Sequence, residues 1–506
     1  MSRGRGGPAR LPAGIPGFDQ IADGGLPLGR AALVVGTSGS GKTVFAVQFL
    51  VAGVHAHGQN GVLVSFEEPA EDLVEHFSER PWGLDELVAQ GRIEIVDVSL
   101  VQDEEHEELG PFDFGALLVR IERAVARLGA ERVVLDSVGS LFALFRDAAG
   151  VRRELRRVIR GLRRMGVTTV VTSERIDEYG SVGRYGLEEF VVNGVIVLRN
   201  PLEMEKRRRT IEILKFRGAS HKRGEYPFTI DPQGGLSVIP YSAIELDKPS
   251  AGLRVSTGVP DLDRMCGGGV FTDGVMLVSG PTGAGKTLIV SQFVRAAFEH
   301  GERALLLTFE ENREQLVRNA ASWGVDLAAA ERAGLLQIVA RYPERMSLED
   351  LLMQVRQEVD AFGPRRVALD SLTVLEHTQA VKPFREFVVG LTTTLKERDI
   401  AAVFTNTTSA LGGGATMTES HVSTISDAVV LLRYVETPGA VRRALTVLKM
   451  RGSRHDTSIR EFVIGDTGME ILGPLTEVSG LLGGSVVAAG PDASAWGVRA
   501  GRFGAG

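Results

Sequence analysis

The sequence predicts two tandem α/β domains, each with a phosphate loop and a mainly parallel central sheet that carries an antiparallel extension. Three observations point there. The chain repeats its own markers in order, each repeat alternates short β-rich runs with helical stretches, and each holds a glycine-rich loop between an apolar strand and a helix. GTSGSGKT at 36–43 recurs as GPTGAGKT at 280–287, SFEE at 65–68 as TFEE at 308–311, VLDS at 134–137 as ALDS at 368–371, and KFRG at 215–218 as KMRG at 449–452. Similar entries, GIPGFDQIADGGLPLGR and STGVPDLDRMCGGGVFTDG, precede the two loops, so the repeat begins upstream of them.

Length fits a duplication, because 506 residues exceed what one core normally organises. The seam falls near 247–254, DKPSAGLR, where proline, glycine and charge interrupt the apolar pattern. The expected division is 1–246, 247–473 and a glycine- and alanine-rich tail, 474–506, expected to be flexible.

In the first repeat AALVVG leads into the loop and TVFAVQFLVAGVHAH follows it as a helix. GVLVSF, the amphipathic EDLVEHFSERP, RIEIVDV, a helix around 115–128, RVVLDS, a basic helix around 151–165 and TTVVTSE come next. Strands alternating with helices imply a parallel sheet covered on both faces. The second repeat keeps this order. Both then carry apolar runs around a charged tip, VNGVIVLRN with RRRTIEILKFRG and DAVVLLRYVE with RRALTVLKMRG, read as antiparallel extensions.

Composition narrows the function. Net charge is −7, so no global pull toward nucleic acid or an anionic membrane exists. A single cysteine, Cys266, excludes an intramolecular disulfide framework and a multi-cysteine metal site. No apolar stretch is long enough to span a bilayer, and the basic opening MSRGRGGPAR is not followed by a signal-type apolar run, so a cytoplasmic protein is expected.

The chemistry begins at the loops. In Gly36, Thr37, Ser38, Gly39, Ser40, Gly41, Lys42, Thr43 and in Gly280, Pro281, Thr282, Gly283, Ala284, Gly285, Lys286, Thr287, glycines let backbone N–H groups face phosphates. The lysine then reaches the β/γ oxygens and the threonine hydroxyl ligates magnesium. Asp136 and Asp370 each end an apolar run, where a carboxylate holds the magnesium water shell. Glu67–Glu68 and Glu310–Glu311 end the strand after the loop helix, and one of each pair is placed to orient or deprotonate a nucleophile; which one is left open. Lys215 and Arg217, around Phe216, and Lys449 and Arg451, around Met450, put two cations on one face of a strand end, an arrangement suited to a neighbouring subunit's phosphate. TMTESHVSTISD at 416–427 packs six hydroxyls into twelve positions before a strand. Read from residues alone, it is a polar turn.

Taken together with ERIDEYGSVGRYGLEEFV, ILKFRGASHKRGEYPF, MCGGGVF, AASWGVD, FTNT and KMRGSRHD, these motifs make residues 10–470 resemble the KaiC family of double-lobed RecA-like ATPases and autokinases of the circadian clock. The resemblance implies a homohexamer with ATP and magnesium between subunits. It also implies slow hydrolysis in the first lobe beside Glu67 and Glu68, and transfer in the second lobe beside Glu310 and Glu311, with Glu310 joining Thr287 and Asp370 at the magnesium. The implied phosphoacceptors are Ser423 and Thr424, with Thr418 auxiliary. Trp323 and Leu288 fall among nucleotide contacts, and Ser220, His221, Arg443, Ser453 and His455 among contacts from the neighbouring subunit.

Two departures stand out. Glu376 and His377 occupy a stretch where the family carries small residues and an arginine, and the tail lacks the charged character that binds KaiA. A KaiA partner is therefore not expected; the resemblance leaves room for a KaiB-like partner at the first lobe, which no residue here establishes, and a timing or stress-signalling role is as consistent as a clock. Two other classes compete. A RecA-like DNA-dependent ATPase would use the basic runs at 152–164 and 206–209, against which stand the acidic net charge and the lack of aromatics beside them. A nucleotide-gated scaffold without kinase activity would not need the intact glutamate pairs.

Overall fold

A computed structural model describes residues 9–78, 82–99, 114–140, 148–182, 191–203, 206–232, 234–241, 252–342, 346–377, 381–408, 422–437, 439–475, 478–479 and 487–488. The chain divides into two compact units, Met1–Glu245 and Leu246–Gly506.

In the first unit, β1 (Ala31–Gly36) feeds the phosphate loop and α1 (Lys42–His57) leaves it. There follow β2 (Gly61–Ser65), α2 (Ala70–Ser78), β3 (Ile93–Asp97), α3 (Phe114–Leu128), β4 (Arg132–Asp136), α4 (Ala148–Met165) and β5 (Thr168–Glu174). The unit ends with β6 (Gly194–Arg199), β7 (Thr210–Phe216), β8 (Glu225–Asp231) and β9 (Gly235–Val238). They form one nine-stranded sheet in the order β9-β8-β7-β6-β1-β5-β4-β2-β3. Strands β1 to β6 pair in parallel and β7 to β9 extend the sheet antiparallel.

The second unit repeats this with β10 (Val275–Gly280), α5 (Lys286–Glu299), β11 (Ala304–Thr308), α6 (Arg313–Ala321), β12 (Leu336–Ala340), α7 (Leu348–Phe362) and β13 (Arg366–Asp370). Then come α8 (Leu372–His377), α9 (Val381–Glu397), β14 (Ala401–Thr407), β15 (Ala428–Thr437), β16 (Ala440–Met450), β17 (Arg460–Gly465) and β18 (Gly468–Pro474). The sheet order is β12-β11-β13-β14-β10-β15-β16-β17-β18. Each unit is thus the expected RecA-like α/β sheet, with one more hairpin in the extension than the sequence indicated.

Burial explains the residue choice. Every residue of β1, β2, β4 and β10 is buried, since helices cover both sheet faces, and these strands are continuous apolar runs instead of alternating ones. Helix α1 is apolar on nearly all sides because β2, β4, β5 and β9 all pack on it. Its one glycine, Gly53, has a reason: a Cβ there would sit 2.4 Å from the Arg132 side chain. Arg132 is fully buried and donates to Phe49 O (2.8 Å), Pro12 O (2.9 Å) and Gln59 Oε1 (2.8 Å), stapling the entry segment to α1. Burial lowers its guanidinium to about 10. Arg366 holds the same place in the second unit, on Glu302 (2.6 Å) and Ser256 O (2.6 Å).

Cys266 is buried and its thiol is raised by burial to about 12, consistent with a packing residue. The basic helix is α4, with Leu155, Val158, Ile159 and Leu162 in the core beneath its arginines. In the tail expected to be flexible, β18 runs to Pro474 and Val478–Ser479 pairs antiparallel with Val487–Ala488. No helix among the described residues is long and apolar enough to cross a membrane.

Candidate active site

Both phosphate loops sit at the carboxyl ends of central strands. Gly41 (φ 96°) and Gly285 (φ 104°) begin the following helices in the left-handed region, where a side chain is strained. A Cβ on Gly41 would also lie 2.6 Å from Ile230 Cδ1. Lys42 Nζ donates to Gly36 O (3.1 Å) and Thr37 O (3.0 Å), and Lys286 Nζ to Gly280 O (2.9 Å) and Pro281 O (3.0 Å). Burial lowers the pKa of both ammonium groups, and the neighbouring carboxylates oppose that shift. Ser40 Oγ is buried with no protein partner.

Asp136 and Asp370 end β4 and β13, two strands away from the loop strand in each sheet. Each is followed by a cis peptide bond to a serine. Thr287 Oγ1 donates to Asp370 Oδ2 (2.7 Å), and Thr43 makes the matching bond to Asp136. On the other side Thr172 Oγ1 donates to Asp136 and Thr405 Oγ1 to Asp370. Burial raises both aspartates, and these hydroxyl bonds pull them back down. Among the described residues no three His, Cys, Asp or Glu side chains converge into a self-sufficient metal cage. A hydroxyl beside one carboxylate is instead an all-oxygen donor set of the kind magnesium uses when phosphates and waters complete its shell.

The glutamate pairs divide in the same way in each lobe. Ser137 Oγ donates to Glu67 Oε1 (2.7 Å), and Ser371 Oγ donates to Glu310. The first glutamate of each pair is therefore tied beside the aspartate. The second differs between lobes. Glu68 lies 3.6 Å from His76, whereas Glu311 accepts from Asn319 Nδ2 at 3.2 Å. Desolvation raises Glu67 against the Ser137 bond, and raises Glu311 against the Asn319 bond.

The K-x-R pairs are remote from their own loops. In the second lobe, register runs Leu277 to Val429 to Lys449, while Asp427 N donates to Val275 O and Arg451 N to Asp427 O. Lys449 and Arg451 therefore stand near the foot of β10, and Gly280 is at its top, five residues or roughly 17 Å from Val275 at about 3.3 Å per residue. The first lobe repeats the arrangement: Lys215 pairs with Val195 beside Leu33, and Arg217 N donates to Asn193 O below Gly36.

Ser423 and Thr424 stand at the same foot, in a single helical turn at 422–425. Val422 and Ser426 are buried, Thr424 is exposed and Ser423 half-buried. Thr418 lies outside the described residues. Ser453 and His455 follow Arg451, and Ser220 and His221 follow Arg217. The ring nitrogens His221 Nδ1 and His455 Nε2 are buried without protein partners.

Arg443 is not with this group. It pairs with Tyr434, whose hydroxyl donates to Thr282 O (3.3 Å), and its guanidinium lies 5.8 Å from that ring, beside its own lobe's phosphate loop. Trp323 is half-buried against the core at the end of α6, and Leu288 is buried in α5.

Sequence reasoning missed Thr172, Thr405 and Asn319, and also Glu178, which accepts from Thr37 Oγ1 (2.6 Å) at the first loop. Ser137 and Ser371 close the repeated markers VLDS and ALDS, and that exact recurrence is the signal that points to them.

Comparison with known proteins agrees with this geometry. A model of the KaiC ATPase domain matches residues 11–243 and again 255–476. The circadian clock protein KaiC3 of Synechocystis sp. (strain ATCC 27184 / PCC 6803 / Kazusa) is 50% identical over 476 residues, 94% of each chain. The circadian clock oscillator protein KaiC of Thermosynechococcus vestitus is 48% identical, covering 94% of this chain and 91% of its own. That of Synechococcus elongatus is 47% identical over 477 residues, 94% and 92%. With duplicated loops, aspartates and glutamate pairs in two RecA-like lobes and this likeness over nearly its whole length, the chain belongs to the KaiC family of ATPases.

Proposed function

We propose that the chain is an ATP-dependent serine/threonine autokinase and slow ATPase working as a homohexamer, in which the second lobe phosphorylates Ser423 and Thr424 of a neighbouring subunit and the first lobe hydrolyses ATP. One observation carries the transfer between subunits: acceptor hydroxyls and K-x-R cations stand at the foot of β10 while the phosphate loop is at its top. Within one lobe they cannot meet a common γ-phosphate. Head-to-tail packing around a ring brings one subunit's foot to the next subunit's loop.

Lys286 would exchange its two carbonyl partners for β/γ-phosphate oxygens, and Thr287 with Asp370 would hold magnesium, which neutralises charge on those oxygens. Glu310, fixed by Ser371, and Glu311, fixed by Asn319, would orient the acceptor hydroxyl and take its proton. Lys449 and Arg451 would add positive charge from the neighbour. In the first lobe Lys42, Thr43, Asp136, Glu67, Lys215 and Arg217 repeat these roles, with water as the nucleophile. The hydroxyl-rich stretch is present only in the second lobe, since EEFVVNGV stands at the first lobe's equivalent. The names of its relatives, circadian clock proteins, support a timing role, and the proposal includes a KaiB-like partner on the family resemblance alone.

The test supplies magnesium and γ-labelled ATP and follows free phosphate and protein-bound label together. Label on Ser423 or Thr424 that is lost in Glu310→Gln/Glu311→Gln is the expected result. Phosphate release without protein label would leave an ATPase ring and remove the kinase reading.

A further inference from the structure

The K-x-R cations of the second lobe are engaged within their own chain. Lys449 Nζ donates to Ser423 O (2.6 Å) and Ser426 O (2.7 Å), and Arg451 Nη2 donates to Thr424 O (2.6 Å). These are carbonyls of the turn that carries the two acceptor hydroxyls. The last carbonyls of a helical turn have no partner inside it, and a cation there meets both the missing hydrogen bond and the negative end of the peptide dipoles. The turn is anchored further by Asp427, which binds Lys396 (2.7 Å), accepts from Val275 N (3.0 Å) and lies 3.9 Å from Arg451 Nη1. Burial lowers the Lys449 ammonium, with Arg451 beside it adding to the shift; Lys449 is half-buried and Arg451 exposed. A backbone held by these cations, on a turn where Thr424 is exposed and Ser423 half-buried, suits presentation to a neighbour.

We propose that Lys449 and Arg451 are positioning residues for the phosphoacceptor turn, acting in cis by clamping its backbone carbonyls, in addition to any charge they lend a neighbouring nucleotide. This rests on the autokinase reading above. The clamp sets which hydroxyl reaches the γ-phosphate. Arg451 is bound to the Thr424 carbonyl and Lys449 to the Ser423 and Ser426 carbonyls, so removing one cation loosens one part of the turn. A cation acting only on the neighbour's phosphate would slow both acceptors alike.

The experiment uses the full-length protein assembled with magnesium and ATP, as wild type, Arg451→Ala and Arg451→Lys. Site-resolved mass spectrometry gives the ratio of phosphate on Ser423 to that on Thr424. Hydrogen exchange gives the protection of the Ser426 and Asp427 amides, which bond Val422 O and Val275 O. The expected result for Arg451→Ala is an altered ratio and a loss of protection at those amides of about tenfold or more, the effect of one charge-assisted hydrogen bond. Exchange in the upper part of β10, residues 277–280, should be unchanged, and Arg451→Lys, which keeps a donor, should restore much of both readouts. Equal slowing at both hydroxyls with unchanged exchange would overturn the clamp while leaving the kinase intact. Absence of phosphate on both residues in the wild type would overturn the autokinase reading, and the positioning role would fall with it.

Discussion

Replacing Thr405 by valine removes a hydroxyl while keeping its shape, and Thr405 is one of two hydroxyls that bond the buried Asp370 carboxylate. A hydrogen bond to a charged group contributes about 1.5–3 kcal/mol, and a lobe of this size shifts by about 2–4 °C per kcal/mol, so Thr405→Val should lower the second lobe's melting temperature by roughly 3–12 °C. The sign with pH follows from burial. Asp370 has a raised pKa in the folded state, so its contribution to stability is fully present below its unfolded pKa and is lost as pH rises through the folded one. In the ionised range the Thr405 bond offsets part of that cost. The variant's deficit should therefore be largest where the carboxyl is ionised and shrink as pH falls through the folded-state pKa and the carboxyl takes up its proton. Thermal unfolding of both proteins across a pH series measures it, and Thr172→Val repeats the test on Asp136 in the first lobe. A deficit that does not change with pH, or that grows in acid, would refute the reasoning.

Gly41→Ala forces a Cβ against Ile230 at a positive φ and should abolish nucleotide binding by the first lobe while sparing the second, read by lobe-resolved nucleotide titration. Ser137→Ala removes the bond that holds Glu67 down, so the acid limb of ATP hydrolysis should move to higher pH, visible in the rate profile. Arg132→Met leaves several buried carbonyls unmet and should cost the first lobe about 3–5 kcal/mol in denaturant unfolding.

Motif recurrence made the duplicated sheet, the loops and the paired acids legible, because backbone geometry at a phosphate demands fixed glycine, lysine and threonine spacing. The serines after Asp136 and Asp370 were in the same recurring strings, but a hydroxyl has many uses and its partner, Glu67 or Glu310, is seen only once the strands are ordered. Thr172 and Thr405 needed the register between neighbouring strands. Arg132 and Arg366 begin their strands, and nothing local in the sequence reveals that entry-segment carbonyls close over them. The foot-of-strand position of Lys449 and Arg451 depends on the antiparallel return of β16 along β15, which spacing alone does not specify. That return also carries Arg443 to the opposite end of the sheet from Ser453 and His455, although only ten to twelve residues separate them in sequence.

Transfer between subunits is the central claim, and mixed rings test it most directly. Lys286→Ala subunits, with hydroxyls intact but a crippled loop, are co-assembled with Ser423→Ala/Thr424→Ala subunits, whose loops are intact, and supplied with γ-labelled ATP. The expected result is label on Ser423 and Thr424 of the Lys286→Ala subunits, in mixed rings and not in rings of that variant alone. Mixed rings that leave those subunits unlabelled, while wild-type rings label normally, would contradict it.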